Sequence, residues 1–251
     1  MIRMKNLAIL ASGRGSNFQA IIDHIKLGIL QNVKINMLIS NDSTATAVTI
    51  ARENKIPFTF IDGIQNKRFS NSQDRERARC DFDEKTLAAL ESNRIDFVAL
   101  AGFMQVLGKQ IVQKYRFRIM NIHPSLDLVK FGGRGMFGDR VHAAVLQAGE
   151  KESGCTVHYV DESIDGGPII LQSRVPIESG DDPHTLGKRI LVQEHRTYAK
   201  AIQLHADDRI RLTNGSITLY RNDGWEDEWN RRQAIFTVSE GKRIKSPVYS
   251  T

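Results

Sequence analysis

The chain has 251 residues, 41% hydrophobic and 25% charged, which excludes disordered, collagen-like and coiled-coil classes. Its formal charge of +6 comes from mixed-sign stretches: residues 67–85 carry six basic and five acidic side chains, and residues 202–251 carry eight and seven. No Lys/Arg block interleaved with aromatics argues for nucleic acid, and no run of about 18 apolar residues argues for a membrane-spanning helix. A modest positive excess suits small anionic substrates. The apolar run Leu7 to Ala11 is too short for the core of a secretory leader. Two cysteines, Cys80 and Cys155, stand far apart with no C-x-x-C pattern, which suits a reducing cytoplasm and argues against a zinc ribbon.

Leu7-Ala8-Ile9-Leu10-Ala11 is a continuous apolar run, the pattern of a strand covered on both faces. A glycine-rich turn follows, and Phe18, Ile21, Ile22 and Ile25 then recur at helical spacing as far as Gly28. Strands are expected over 33–40 and 57–61, with a helix over 44–54 between them. Residues 62–80 are polar and turn-rich and read as an exposed loop. A helix over 82–91 leads to a strand over 96–101. Further strands are expected over 117–123, 156–160 and 168–177. Asp182 with Pro183 predicts a helix start, and Leu186, Ile190, Leu191, Tyr198 and Ile202 extend that helix to about 205. Residues 217–220 alternate like an edge strand or hairpin.

Strand–helix–strand repetition with short apolar strands predicts an α/β fold: a Rossmann-like, open, mostly parallel sheet with helices on both faces. We expect a domain over 1–212, its N-terminal half Rossmann-like and phosphate-binding, and an extension over 213–251. In such sheets ligands bind beyond the carboxyl ends of the strands, which directs attention to residues 12–17, 41–43, 102–107 and 121–125.

Ser12-Gly13-Arg14-Gly15-Ser16-Asn17 lies between a strand and a helix, where backbone N–H groups and the helix terminus favour a phosphate. Phe18 replaces the third glycine of the dinucleotide fingerprint, and no triphosphate-loop Lys-Ser/Thr pair is present, so the motif fits a single phosphomonoester or a merely tight turn. In Asn121-Ile122-His123-Pro124-Ser125 strand alternation sends Asn121 and His123 to one face. Together they form either a donor pair for a developing oxyanion or a structural pair. Asp165, in Asp165-Gly166-Gly167-Pro168, either orients and charges His123 or is a turn aspartate. His158 reads as core or as a neighbour of the site. No metal-ligand spacing and no Gly-x-Ser-x-Gly elbow is present.

Taken in order, Gly13 to Asn17, Ala101-Gly102-Phe103-Met104, Asn121 to Ser125, Gly154 to Val160, Asp165 to Pro168 and Gln193-Glu194-His195 resemble the glycinamide ribonucleotide formyltransferase family across residues 5–212. The resemblance implies formyl transfer from 10-formyltetrahydrofolate, as co-substrate, to the amine of 5'-phosphoribosylglycinamide in purine synthesis, without a metal. It implies that Gly15, Ser16 and Asn17 hold the ribonucleotide phosphate and Glu194 its amine. Asn121, His123 and Asp165 would be the catalytic trio, flanked by His158. Arg79, Met104, Val106, Leu107 and Val160 would contact the folate. Hydrolysis of formyltetrahydrofolate is the alternative reaction, and a nucleotide-binding sensor the alternative class; the sensor would need the phosphate loop but not the trio.

Two features depart from the family. Where it continues H-P-S-L-L-P, this chain reads Ser125-Leu126-Asp127-Leu128-Val129-Lys130, which bears on the 127–138 loop. The extension carries Ile217, Leu219, Trp225, Trp229, Ile235, Phe236 and Val238, too few apolar residues for a second core. It is expected to pack as an edge hairpin whose aromatics cover the sheet or a second copy of the chain in a homodimer.

Overall fold

The computed structural model describes residues 3–64, 67–213, 216–220 and 224–244. Seven strands form one sheet in the order β3-β2-β1-β4-β5-β6-β7. They are β1 (Lys5–Leu10), β2 (Val33–Ser40), β3 (Phe58–Phe60), β4 (Phe97–Leu100), β5 (Ile119–His123), β6 (Glu152–Tyr159) and β7 (Ile169–Pro176). β1 to β5 pair in parallel, and β6 and β7 close the sheet antiparallel.

The apolar run at the start explains itself in this arrangement. β1 is central, so Leu7 and Ile9 enter one core while Ala8 and Leu10 enter the other. On the first face pack α1 (Ser16–Lys26), α2 (Thr46–Glu53) and α7 (Pro183–Ala206); on the second pack α3 (Ser72–Ser92) and α4 (Lys109–Lys114). Two shorter helices, α5 (Leu128–Phe131) and α6 (Asp139–Gln147), follow β5. α7 starts as expected: Asp182 Oδ1 accepts from Thr185 N at 2.7 Å, the Thr185 hydroxyl accepts from Asp182 N, and Pro183 opens the first turn.

Three expectations change. The loop over 62–80 is only half loop, because α3 begins at Ser72, capped by Asn71 Oδ1 on Asp74 N at 2.8 Å. This helix is so polar that it carries no apolar stripe over its first turns, and its cap was the local signal. The strand over 117–123 begins at Ile119, since Phe117 turns through φ 56°. The extension is no edge of the main sheet: β8 (Ile210–Thr213) and β9 (Ser216–Leu219) form their own two-stranded sheet, followed by α8 (Trp225–Ile244). Trp225 and Trp229, one helical turn apart, are 5% and 2% exposed and join the core that α1 and α7 share. The side chains of Phe236 and Val238 lie outside the described residues.

Candidate active site

The carboxyl ends of β1, β4 and β5 open into a cleft of about 1080 Å³. All thirteen residues singled out from the sequence line it. They divide into three groups.

At the end of β5, alternation places Asn121 and His123 on the same face, as expected. Asn121 Nδ2 lies 3.3 Å from Asp165 Oδ1 and 3.3 Å from His158 Nε2. His123 Nδ1 lies 3.7 Å from Asp165 Oδ2, while its Nε2 is 2.8 Å from the Phe131 carbonyl. A carbonyl can only accept, so Nε2 carries a proton and Nδ1 is the nitrogen that gains or loses one. The same logic applies to His158: its Nδ1 donates to the Tyr159 carbonyl at 2.9 Å, and its Nε2 faces both Asn121 Nδ2 and, at 3.7 Å, Asp165 Oδ1.

Asp165 is held from the other side by Gly133 N, which donates to Oδ2 at 2.9 Å. Its turn needs Gly167, where an added Cβ would stand 1.9 Å from the Tyr159 carbonyl. Burial opposes ionisation of Asp165, but the His158 and Gly133 contacts and the His123 charge outweigh it and hold the pKa below the ordinary value. Burial pushes the His123 pKa down, against the pull of Asp165 and the Phe131 carbonyl.

At the end of β1, Gly15 adopts φ 71° as the residue capping α1, and a Cβ there would meet the Ala47 backbone at 3.0 Å. No side chain caps α1, so backbone N–H groups of its first turn have no side-chain acceptor at the cap. Ser12 locks this loop to its neighbours, donating to Asn41 Oδ1 at 2.5 Å and accepting from Met104 N at 2.8 Å. Asn17 Nδ2 donates to Glu194 Oε2 at 2.8 Å, joining α1 to α7. Burial raises the Glu194 pKa against the Asn17 bond and the charges of His195 and Arg14.

The third group is apolar. Met104, Val106 and Ile164 are each more than a third exposed at the cleft mouth, with Leu107 and Val160 beneath and Arg79 on α3 beside them. Asp83 of α3 fixes this loop by accepting from Gly108 N at 3.1 Å. Lining residues that the sequence reading did not single out include Arg134, His142, Gly187 and Lys188. The run Gly132-Gly133-Arg134-Gly135 was the available signal for the first. Among the described residues no group of three His, Cys, Asp or Glu side chains is placed to hold a metal ion.

A parallel sheet with two closing antiparallel strands, a glycine-turned loop between β1 and α1, and an amide–imidazole–carboxylate cluster joining the end of β5 to the β6–β7 loop define a class. The family profile described as formyl transferase matches residues 5–202, and the chain belongs to that family. More particularly, it is 34% identical to a chloroplastic phosphoribosylglycinamide formyltransferase of Arabidopsis thaliana, over 90% of this chain and 74% of that protein. It is 35% identical to the phosphoribosylglycinamide formyltransferase of Haemophilus influenzae, over 83% of this chain and 91% of that one. The crystal structure of phosphoribosylglycinamide formyltransferase from Anaplasma phagocytophilum superposes with a TM-score of 0.73 at 33% identity, covering 88% of this chain and 97% of that one.

Proposed function

We propose that this cleft transfers the formyl group of 10-formyltetrahydrofolate to the amine of 5'-phosphoribosylglycinamide in purine biosynthesis. The observation that carries the reading is the meeting of Asn121, His123 and Asp165 in one cleft with the Gly15–Asn17 loop and Glu194. The named relatives support the same activity.

In this reading Gly15, Ser16 and Asn17 take the ribonucleotide phosphate, and Glu194 takes the glycinamide amine. Met104, Val106, Leu107 and Val160 hold the pteridine, and Arg79 the folate tail. The amine nitrogen attacks the formyl carbon directly, forming a C–N bond and a tetrahedral oxyanion. Asn121 Nδ2 and protonated His123 donate to that oxyanion. Burial disfavours the imidazolium; the ionised Asp165 and the developing oxyanion together favour it. Asp165 then relays the amine proton to the folate nitrogen as its bond to the formyl carbon breaks. His158 orients Asn121 and Asp165. We assign catalysis to residues 1–212, read 213–251 as an extension and place the enzyme in the cytoplasm on its two free cysteines.

A formyl-transfer assay with and without the ribonucleotide tests this reading. Consumption of the folate that depends on the acceptor supports it. Equal deformylation without acceptor would establish hydrolysis instead.

A further inference from the structure

The turn Gly132 to Gly138 lies between the trio and α7. Gly133, Gly135 and Gly138 all sit in the left-handed region, at φ 92°, 83° and 54°. A Cβ on Gly132 would stand 2.3 Å from the Leu128 carbonyl. Glycines therefore shape this turn, and no contact of the Arg134 side chain is needed to hold it. Arg134 is exposed, lines the cleft and has no ion-pair partner among the described residues. One end of the turn is tied to the chemistry by Gly133 N on Asp165. The other runs into α6, where the His142 ring stands 2.9 Å from where a Cβ on Gly187 would be. Lys188, the next residue of α7, also faces the cleft without an ion pair among the described residues, as does Arg14 from the loop before α1.

Most carboxylates on these walls accept hydrogen bonds or pair with a cation. Asp165 and Glu194 accept the bonds described above. Asp161 accepts from Ser163 N, Glu162 pairs with Lys109, and Asp139 stands by His142; Glu76 lies at the far, α3 end. On the walls formed by the loop before α1, the Gly132–Gly138 turn with α6, and α7, the cations Arg14, Arg134 and Lys188 face the carboxylates Asp139 and Glu194, which leaves a positive surplus. The Gly15–Asn17 loop offers a phosphate dianion backbone dipoles and the Ser16 hydroxyl but no cation, and a dianion also calls for cations. Arg14 is partly matched by Glu194 beside it. Of the others, a guanidinium grips phosphate through two parallel bonds, which an ammonium does not.

We infer that Arg134 is a binding residue for the phosphate of the acceptor, an assignment that rests on reading that acceptor as a phosphoribosyl amine. Gripping phosphate there also steadies the turn whose Gly133 N–H holds Asp165. One loop thereby couples acceptor recognition to placement of the catalytic carboxylate.

The test compares wild type, Arg134→Ala and Arg134→Lys. Affinity for ribose 5-phosphate and for ribose is read by calorimetry, and the KM of each substrate by formyl transfer. Arg134→Ala should weaken ribose 5-phosphate and raise the ribonucleotide KM by about tenfold or more. The folate KM and the melting temperature should stay unchanged, and Arg134→Lys should recover part of the loss. Unchanged ribose 5-phosphate affinity in Arg134→Ala overturns the assignment. So does a rise confined to the folate KM, or a wild type that binds ribose 5-phosphate no better than ribose. If wild type binds ribose 5-phosphate through Arg134 yet transfers no formyl group, the proposed reaction fails and the phosphate assignment stands.

Discussion

The loop that carries Asp165 and the α1–α7 seam that carries Glu194 each place one carboxylate in the same cleft. The two respond oppositely to being there. Their exposures are similar, 13% for the Asp165 side chain and 8% for Glu194, yet the Asp165 pKa falls and the Glu194 pKa rises. Burial disfavours both anions, and the donors decide the sign. Asp165 receives the Gly133 N–H and the Asn121 amide and faces two imidazoles, whereas among the described hydrogen bonds Glu194 has Asn17. A carboxylate kept ionised beside an imidazole suits proton and charge management. One held nearly undonated at a helix seam suits a ligand that brings its own N–H donors.

That contrast predicts separable damage. On the Asp165 side, Asp165→Asn keeps the shape and removes the charge. Turnover should fall by about two orders of magnitude or more, while both ligands still bind, as separate titrations and steady-state rates would show. Near-normal turnover would remove Asp165 from the chemistry. On the seam side, Gly15→Val forces a branched residue into φ 71° against the Ala47 backbone. Ribonucleotide affinity should fall by about tenfold or more, with folate affinity retained; equal loss of both would mean a collapsed fold.

Effects outside the cleft should be smaller on catalysis. Deleting residues 222–251 removes Trp225 and Trp229 from the shared core and leaves every proposed site residue in place. Formyl transfer should persist. Loss of such packing, about 3 kcal/mol or more for one buried Trp, should lower the melting temperature by about 10 °C. Light scattering would show whether the extension also sets the oligomeric state. If melting and mass are unchanged but activity is lost, the extension reaches the site. Smallest is a pH effect from behind the sheet. Burial lowers the His205 pKa from 6.5 to about 4, so between those values the unfolded chain binds more protons. Stability should therefore drop as pH falls below 6.5, by about 1 kcal/mol at pH 6. His205→Phe should flatten that part of the curve in denaturant titrations; an equally steep curve would point to other groups.

How legible these features were in the sequence follows the same division. β1 could be read because a central strand is apolar on both sides, and α7 because its Asp182–Thr185 cap and apolar spacing agree. The β5 pair could be read because alternation fixes which side chains share a face. The first turns of α3 could not, since charged residues there cover no core and leave no period to detect. Nor could the seating of α8: Trp225 and Trp229 announce a buried face, but only the fold places it against α1 and α7 rather than the sheet edge. The Asn17–Glu194 bond joins residues 177 positions apart; no local pattern encodes it. Arg134 was hidden because a glycine-rich turn looks alike whether it merely reverses the chain or presents a cation.

The central claim is that the Asn121–His123–Asp165 cluster performs the chemistry while the rest of the cleft binds the ligands. The most direct measurement is kcat for formyl transfer by folded His123→Ala protein, alongside its affinity for each ligand. We expect kcat to fall by about two orders of magnitude or more with both affinities within a few-fold of wild type. A kcat near wild type, or a loss explained by weakened binding alone, would contradict the account.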